Sequence, residues 1–404
     1  MRVLSFSYCY PRPSRPAWGV FIHQRLAAMA RHAELQVVSP VPVFPVLRSA
    51  PSNLPLKEEL DGLTIHRPRF RYLPAVLKHR DGRLYAKGIV NSVRDIVRNF
   101  RPDILDAHFI WPDGVGVANL AGSFDLPLAI TLRGKLYPAI EDPRIKQQCV
   151  TALRKASVVL SVSRPMAEVA EHLGTGRGKL TVIENGVDLQ RFAPRDQSLA
   201  AGELNLPNDL PILLAVGHLK PSKGQEDLLE AASGLPMPVR LVFVGGEAQR
   251  GYTAHLRKRA AGLGMEGRVH LVGRQPYGRI PTFLAAANIV VLPSWREGCP
   301  NIVLEALASG RPVVATRVGA TPQLIQPPLN GHIVPPNQIA ALRDGLHEAL
   351  RKDWNALAIR NSPAVRSWDG VAERVLSTFA EALGSPEGDS HKLPDRPAMS
   401  ERSR

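Results

Sequence analysis

Cysteine is scarce in this sequence. Three residues in 404, Cys9, Cys149 and Cys299, are odd in number, scattered and free of metal-ligand spacing. Neither a disulfide framework nor a zinc site is expected from such a set. A reducing, cytoplasmic compartment suits it. Long apolar runs are missing too: residues 280–293 form the best one, but Asn288 interrupts it and it falls short of the ~18 residues a spanning helix needs. The segment Met1 to Pro11 carries one charge and a short apolar run ended by prolines. It reads as a first β-strand, not a signal peptide. No Gly-x-Gly-x-x-Gly turn follows that strand, which speaks against a dinucleotide oxidoreductase. No Asp-x-Asp pair is placed to hold a metal, and no internal repeat is visible.

What the sequence has in excess is positive charge. A formal net charge of +15 admits three partners: nucleic acid, an anionic membrane surface, or phosphate-bearing substrates. Nucleic acid ranks last, because no recognised binding motif accompanies the charge. One segment concentrates Arg67, Arg69, Arg71, Lys78, His79, Arg80 and Arg83, with Phe70, Tyr72, Leu73, Val76 and Leu77 between them. That mixture suits contact with lipid headgroups as well as it suits a plain arginine-rich surface.

Short β-branched runs alternate with amphipathic stretches along most of the chain, the pattern of α/β units around parallel sheets. Strands are expected near residues 3–6, 35–38, 104–105, 128–130 and 158–160, then near 212–216, 240–244, 269–271, 289–292 and 312–315. A helix is expected from about Val20 to Arg31. The polar, proline-bounded run from Pro194 to Pro211 reads as an irregular linker. Two similar α/β domains result, 1–195 and 196–365, followed by a helix within 366–384 and a disordered tail, 385–404, that has little to bury.

The chemistry concentrates between Ser294 and Gly310. This segment follows a buried strand and opens a helix, with Pro300 at its start and Gly310 past its end. It therefore sits at the C-terminal edge of a parallel sheet, where open α/β folds bind ligands. Free N–H groups at a helix start receive phosphate or sugar oxygens. Glu297 precedes the helix, and Asn301 and Glu305 share one face of it. Carboxylates repel a diphosphate, so their partners should be vicinal hydroxyls on a ribose or hexose.

Glu297 and Glu305, with Glu-Gly-Cys-Pro-Asn between them and Gly-Arg-Pro-Val-Val-Ala-Thr beyond, resemble the signature of the retaining GT-B glycosyltransferases of family 4. The resemblance extends over most of the chain. It implies two Rossmann-like domains, a deep cleft between them and a C-terminal helix that crosses back onto the first. It implies that Glu297 lies by the donor sugar, that Gly298, Cys299, Asn301 and Ile302 surround sugar and phosphate oxygens, and that Glu305 binds the ribose. The run Gly217-His218-Leu219-Lys220-Pro221-Ser222-Lys223-Gly224 is similar to the family's diphosphate site. Lys223 stands at its lysine, but His218 replaces its arginine.

In the first half, Gly19 matches a glycine loop near the donor phosphates, with Trp18 where a second glycine is usual. His108 matches a cleft-facing residue that contacts sugar hydroxyls. Arg133 replaces a histidine near the anomeric centre; as a permanent cation it cannot act as a base, but it can hold a departing phosphate. Asn185-Gly186-Val187-Asp188 reads as a structural turn, and Gln323 stands where relatives carry glutamate. The family resemblance thus implies a nucleotide-sugar donor, a glycan or lipid-linked acceptor, and no metal cofactor. The sequence alone leaves open a GT-B nucleotide-sugar epimerase and a catalytically silent sugar-nucleotide-binding subunit.

Overall fold

The structure, a computed structural model, describes residues 1–43, 54–71, 77–207 and 209–384. The expected disordered tail, and Tyr72, Leu73 and Val76 of the basic segment, lie outside these residues.

Ten strands belong to the first half of the chain: β1 (Arg2–Phe6), β2 (Glu34–Val38), β3 (Val41–Val43), β4 (Lys57–Leu60), β5 (Leu63–His66), β6 (Arg69–Arg71), β7 (Ile104–His108), β8 (Leu128–Leu132), β9 (Val158–Ser161) and β10 (Leu180–Val182). Eight of them form one sheet in the order β10-β9-β8-β7-β1-β2-β5-β4, while β3 and β6 pair separately. Only the edge strand β4 runs antiparallel to its neighbour. The second sheet contains β11 (Ile212–Val216), β12 (Arg240–Val244), β13 (Val269–Gly273), β14 (Ile289–Leu292), β15 (Val313–Thr316) and β16 (Gly331–Val334), in the order β13-β12-β11-β14-β15-β16 and parallel throughout. The central strands are buried along their whole length, as in β7, β8, β12 and β14. Burial on both faces of a parallel sheet is why they read as unbroken apolar runs. The fold is α/β, with two Rossmann-like domains in the GT-B arrangement.

All ten expected strands are present. The other six are short: β4 is Lys-Glu-Glu-Leu at an edge, β3, β6 and β10 have three residues each, and β5 and β16 have four. The first helix spans Val20–Met29, two residues short of the expected end. The run expected as an irregular linker contains a helix, Gln197–Glu203, opened by Asp196, whose carboxylate accepts from Leu199 N at 2.8 Å. Its Ala200 and Ala201 pack on Ala285 and Ala286. Small side chains allow this close approach, and their low hydrophobicity hid it in the sequence.

The basic segment also differs from its expected character. Arg67 is 1% exposed and donates to Glu58, to Ser39 Oγ and to Pro11 O. Phe70 is buried against Tyr85. Neither side chain can reach a lipid surface, so this part of the positive charge is structural.

The last helix, Trp368–Ala382, packs on the first domain. Trp368, Val371, Ala372, Val375 and Phe379 share one core with Val3, Ile22, Leu26 and Met29. The chain thus passes from the first domain to the second and back. The C-terminal ends of both sheets carry the loops that face each other across the cleft. No helix among the described residues is long and apolar enough to cross a membrane.

Candidate active site in the interdomain cleft

Two loops of the second domain are stitched together. After β11, residues 217–224 turn tightly at Gly224, whose φ of +66° and whose Cβ position, 2.0 Å from Pro293 O, admit only glycine. Trp295 N donates to Ser222 O at 3.0 Å. This brings Lys223 onto the loop after β14, where its Nζ stands 2.5 Å from Glu297 Oε1. Both side chains are mostly buried, at 24% and 13% exposure. Ala320 N donates to Gly298 O at 2.7 Å and supports the same loop from below. Cys299 and Ile302, each half-buried, pack against the second core. Burial pushes the Cys299 thiol up to about 12, so it offers no thiolate nucleophile.

Glu305 lies one turn into the helix Asn301–Ala308 and is buried. Tyr277 Oη donates to its Oε1 at 2.9 Å. Burial pushes the Glu305 carboxyl up to about 7, although the Tyr277 hydrogen bond and the Arg191 charge oppose this. Tyr277 itself is held by the Phe192 ring at 5.7 Å, by Arg191 over its face, and by Gln24 of the first domain, whose Nε2 stands 3.4 Å from the hydroxyl.

His218, on the loop after β11, has its pKa lowered by partial withdrawal from water and by the nearby charges of Arg274, Lys220 and Lys223. A neutral imidazole is the result near pH 7. Arg274 follows β13, flanks Gly246 with its guanidinium, and has no carboxylate within ion-pair distance among the described residues.

On the first domain, the end of β7 carries Asp106 and His108, both fully buried. Burial works against the Asp106 charge, but His108 and Arg25 facing it outweigh that and hold its pKa below the usual range. His108 Nε2 lies 3.1 Å from Asp106 Oδ2, and burial pulls its pKa down to about 4. Arg25 donates to Thr131 Oγ1 at 3.0 Å and stands 3.8 Å from Asp106. Arg133, at the end of β8, is 3% exposed; burial and the Arg25 charge bring its pKa down to about 9, so it remains a cation. Its guanidinium stacks on Phe21 at 4.9 Å, and Nε and Nη2 are buried without a partner. Two buried guanidinium groups therefore face one carboxylate. Gly19 caps the helix Val20–Met29 at φ +75°, with Cys9 O 2.1 Å from where a Cβ would stand. Close packing of backbone on backbone accounts for this glycine.

The two halves meet directly. Arg133 Nη1 donates to Asn185 Oδ1 at 2.9 Å, and Asn185 Nδ2 donates to Asn301 Oδ1 at 2.7 Å. The backbone of Gly134 approaches Gly298. Gln323 uses both ends of its amide: Nε2 donates to Glu184 Oε1 at 2.8 Å and Oε1 accepts from Arg164 N at 2.9 Å. A glutamate could not donate to Glu184, which explains the amide at this position.

The cleft thus brings together Glu297, Gly298, Cys299, Asn301, Ile302, Glu305, His218 and Lys223 on one wall and Arg133 on the other, while Gly19 shapes the loop beside them and His108, expected to face the cleft, is fully buried beside Asp106. Four contributors escaped the sequence reading. Asn185, taken as part of a structural turn, links the domains; its conspicuous Asn-Gly-Val-Asp setting was the available signal. Tyr277, Arg274 and Arg25 sit in unremarkable sequence, and only the fold shows them. Among the described residues, no group of three or more His, Cys, Asp or Glu side chains is placed to hold a metal ion.

Residues 196–363 match the family described as glycosyl transferases group 1, and residues 19–191 match glycosyltransferase family 4. Over 343 residues, 80% of this chain and 83% of the relative, the sequence is 30% identical to TuaC of Bacillus subtilis (strain 168), which carries the name of a teichuronic acid biosynthesis glycosyltransferase. A D-inositol 3-phosphate glycosyltransferase of Mycolicibacterium paratuberculosis is 32% identical over 212 residues, 51% of this chain and 48% of that one. The chain is also similar in fold to sucrose-phosphate synthase from Thermosynechococcus elongatus (TM-score 0.77, 21% identity, 95% and 99% of the two chains). Anabaena Alr3699/HepE, solved in complex with UDP-glucose, gives a TM-score of 0.74 at 22% identity over 94% and 100%. The paired family matches and the near full-length likeness to TuaC place this chain in the group 1, family 4 glycosyltransferases.

Proposed function

We propose that the protein moves a hexose-type sugar from a nucleotide-sugar donor to a glycan or lipid-linked acceptor, with retention of anomeric configuration, in the assembly of a cell-surface polysaccharide or glycolipid. The observation that carries this reading is the Lys223–Glu297 pair beside the buried Glu305, on two stitched loops at a sheet edge. Such an arrangement offers a cation to a diphosphate and two carboxylates to hydroxyls.

In this reading Glu305, braced by Tyr277, accepts from the ribose, and Glu297 orients the donor sugar. Lys223, Arg274 and the amides following Glu297 stabilise the departing diphosphate without a metal. Arg133 reaches the same charge from the opposite wall. Glu297 is engaged by Lys223, and the Cys299 thiol is protonated. Both facts favour front-face displacement, in which the acceptor attacks from the side the phosphate leaves and a phosphate oxygen takes its proton. Closure of the cleft excludes water. The exposed Arg71, Leu77, Lys78, Arg80 and Arg83 support an acceptor presented at the cytoplasmic face of an anionic membrane.

Thermal-shift measurements against UDP-, GDP- and ADP-sugars test the donor assignment. One nucleotide series should raise Tm, and no shift with any of them would overturn it. Because Arg274 supplies the charge that His218 lacks, Arg274→Ala should weaken nucleotide-sugar binding about tenfold, the scale of one charge-assisted contact, as read by titration calorimetry.

A further inference from the structure

Beyond the donor loops, the first-domain wall carries a group of side chains that the donor does not account for. After β1, Tyr8 meets Trp18 edge-on, with ring centroids 5.5 Å apart. A tight turn, in which Arg12 and Arg15 bridge through their backbones, lays both guanidinium groups against the Trp18 ring, at 5.0 and 5.5 Å. Lys135 comes from the end of β8, two residues beyond Arg133, and its Nζ lies 4.3 Å from the Tyr8 ring centre and 5.8 Å from that of Phe109. Gly134, between Arg133 and Lys135, is the residue that approaches Gly298 of the donor loop.

No carboxylate lies within ion-pair distance of Arg12, Arg15 or Lys135 among the described residues, although nineteen other such pairs occur there. Asp113, beneath this wall, is taken up by hydrogen bonds from Tyr8 N at 2.8 Å and Tyr85 Oη at 3.0 Å, and burial raises its pKa well above the ordinary value. Partial withdrawal from water lowers the Lys135 pKa to about 8, with no anion to oppose the shift.

Aromatic faces receive the C–H surface of a pyranose, and clustered cations with no carboxylate partner attract an anion. We propose that this wall is the acceptor subsite and that it selects an acceptor sugar bearing an anionic group, with Tyr8 and Trp18 receiving the ring and Lys135, Arg15 and Arg12 engaging a carboxylate or phosphate. The proposal rests on the glycosyltransferase reading and adds the acceptor's chemical class. The placement next to Gly134 sets the acceptor hydroxyl beside the donor sugar.

Matched probes test it by titration in the presence of the nucleotide that stabilises the protein. 4-Nitrophenyl β-D-glucuronide is compared with 4-nitrophenyl β-D-glucoside, and glucose 6-phosphate with glucose. At least one anionic probe should bind about tenfold more tightly than its neutral twin, and the stronger of the two pairs tells carboxylate from phosphate. Lys135→Ala and Arg15→Ala should each remove most of that preference while nucleotide affinity stays within about twofold. Rising salt should erode it. Equal binding of charged and neutral twins, binding of neither, or a preference that survives the Lys135→Ala, Arg15→Ala double variant would overturn the proposal. Nucleotide titration of the same samples is read separately, so failure of the donor site and failure of the acceptor subsite are distinguishable.

Discussion

Lys223→Ala should lower kcat/KM for sugar transfer by about 10²- to 10³-fold, the usual cost of losing one preorganised group that stabilises developing charge. Two effects combine. In this reading the departing diphosphate loses the cation assigned to it, and Glu297 is left as a mostly buried carboxylate without its partner. Glu297 then repels the leaving phosphate. Lys223→Arg keeps the charge but presents a broader fork to a site shaped for an ammonium, and should recover only part of the loss. The ion pair of the free protein must open when the donor arrives, so Lys223 exchanges one anion for another. For that reason Glu297→Gln should bind nucleotide diphosphate at least as well as the parent while turning over more slowly. Steady-state kinetics with calorimetric nucleotide titration separates the two. A Lys223→Ala protein with full turnover would remove Lys223 from the catalytic assignment.

The second large effect concerns pH. Glu305, pushed up to about 7 by burial, is ionised only above neutrality, and the ionised form is the better acceptor for two ribose hydroxyls. Nucleotide affinity should therefore rise about tenfold as pH increases from about 6 to about 8. In the absence of ligand the sign is opposite. A carboxyl whose folded pKa is raised binds a proton that the unfolded chain has released, so its contribution to stability is full below the unfolded value and is lost as pH rises through about 7. The Tm of the free protein should thus fall with pH over this interval relative to Glu305→Gln, while nucleotide-induced stabilisation grows. Glu305→Gln should flatten both trends. A parent protein with pH-independent affinity would sink the ribose assignment.

The architecture was legible because the central strands of parallel sheets must be apolar on both faces. Runs such as Ile289–Leu292 and Arg240–Val244 announce themselves. The edge strand Lys57–Leu60 does not, since one flank faces solvent and its charges resemble a loop. The donor wall was legible for a related reason: one continuous strand-loop-helix segment carries Glu297 through Glu305, so spacing along the chain fixes position in space. Tyr277 and Arg274 could not be found this way. They come from the loop after a different strand, and only the sheet order, with β13 two strands from β11, sets them near Glu305 and His218. Arg67 shows the converse error, in which a residue type that is normally exposed is buried because Glu58, Ser39 and Pro11 satisfy its donors.

The return of the last helix to the first domain has a consequence for how the chain is made. During synthesis residues 212–334, which contain every strand of the second sheet, emerge as one uninterrupted stretch and can complete that sheet on their own. The core around Val3, Ile22, Leu26 and Met29 instead waits for Trp368, Val371, Val375 and Phe379, although its own sheet is finished by Val182. The half made earlier is therefore the later one to close its core, with an apolar seam open for nearly two hundred residues of translation, and Val3 and Phe379, far apart along the chain, share one core in the finished fold.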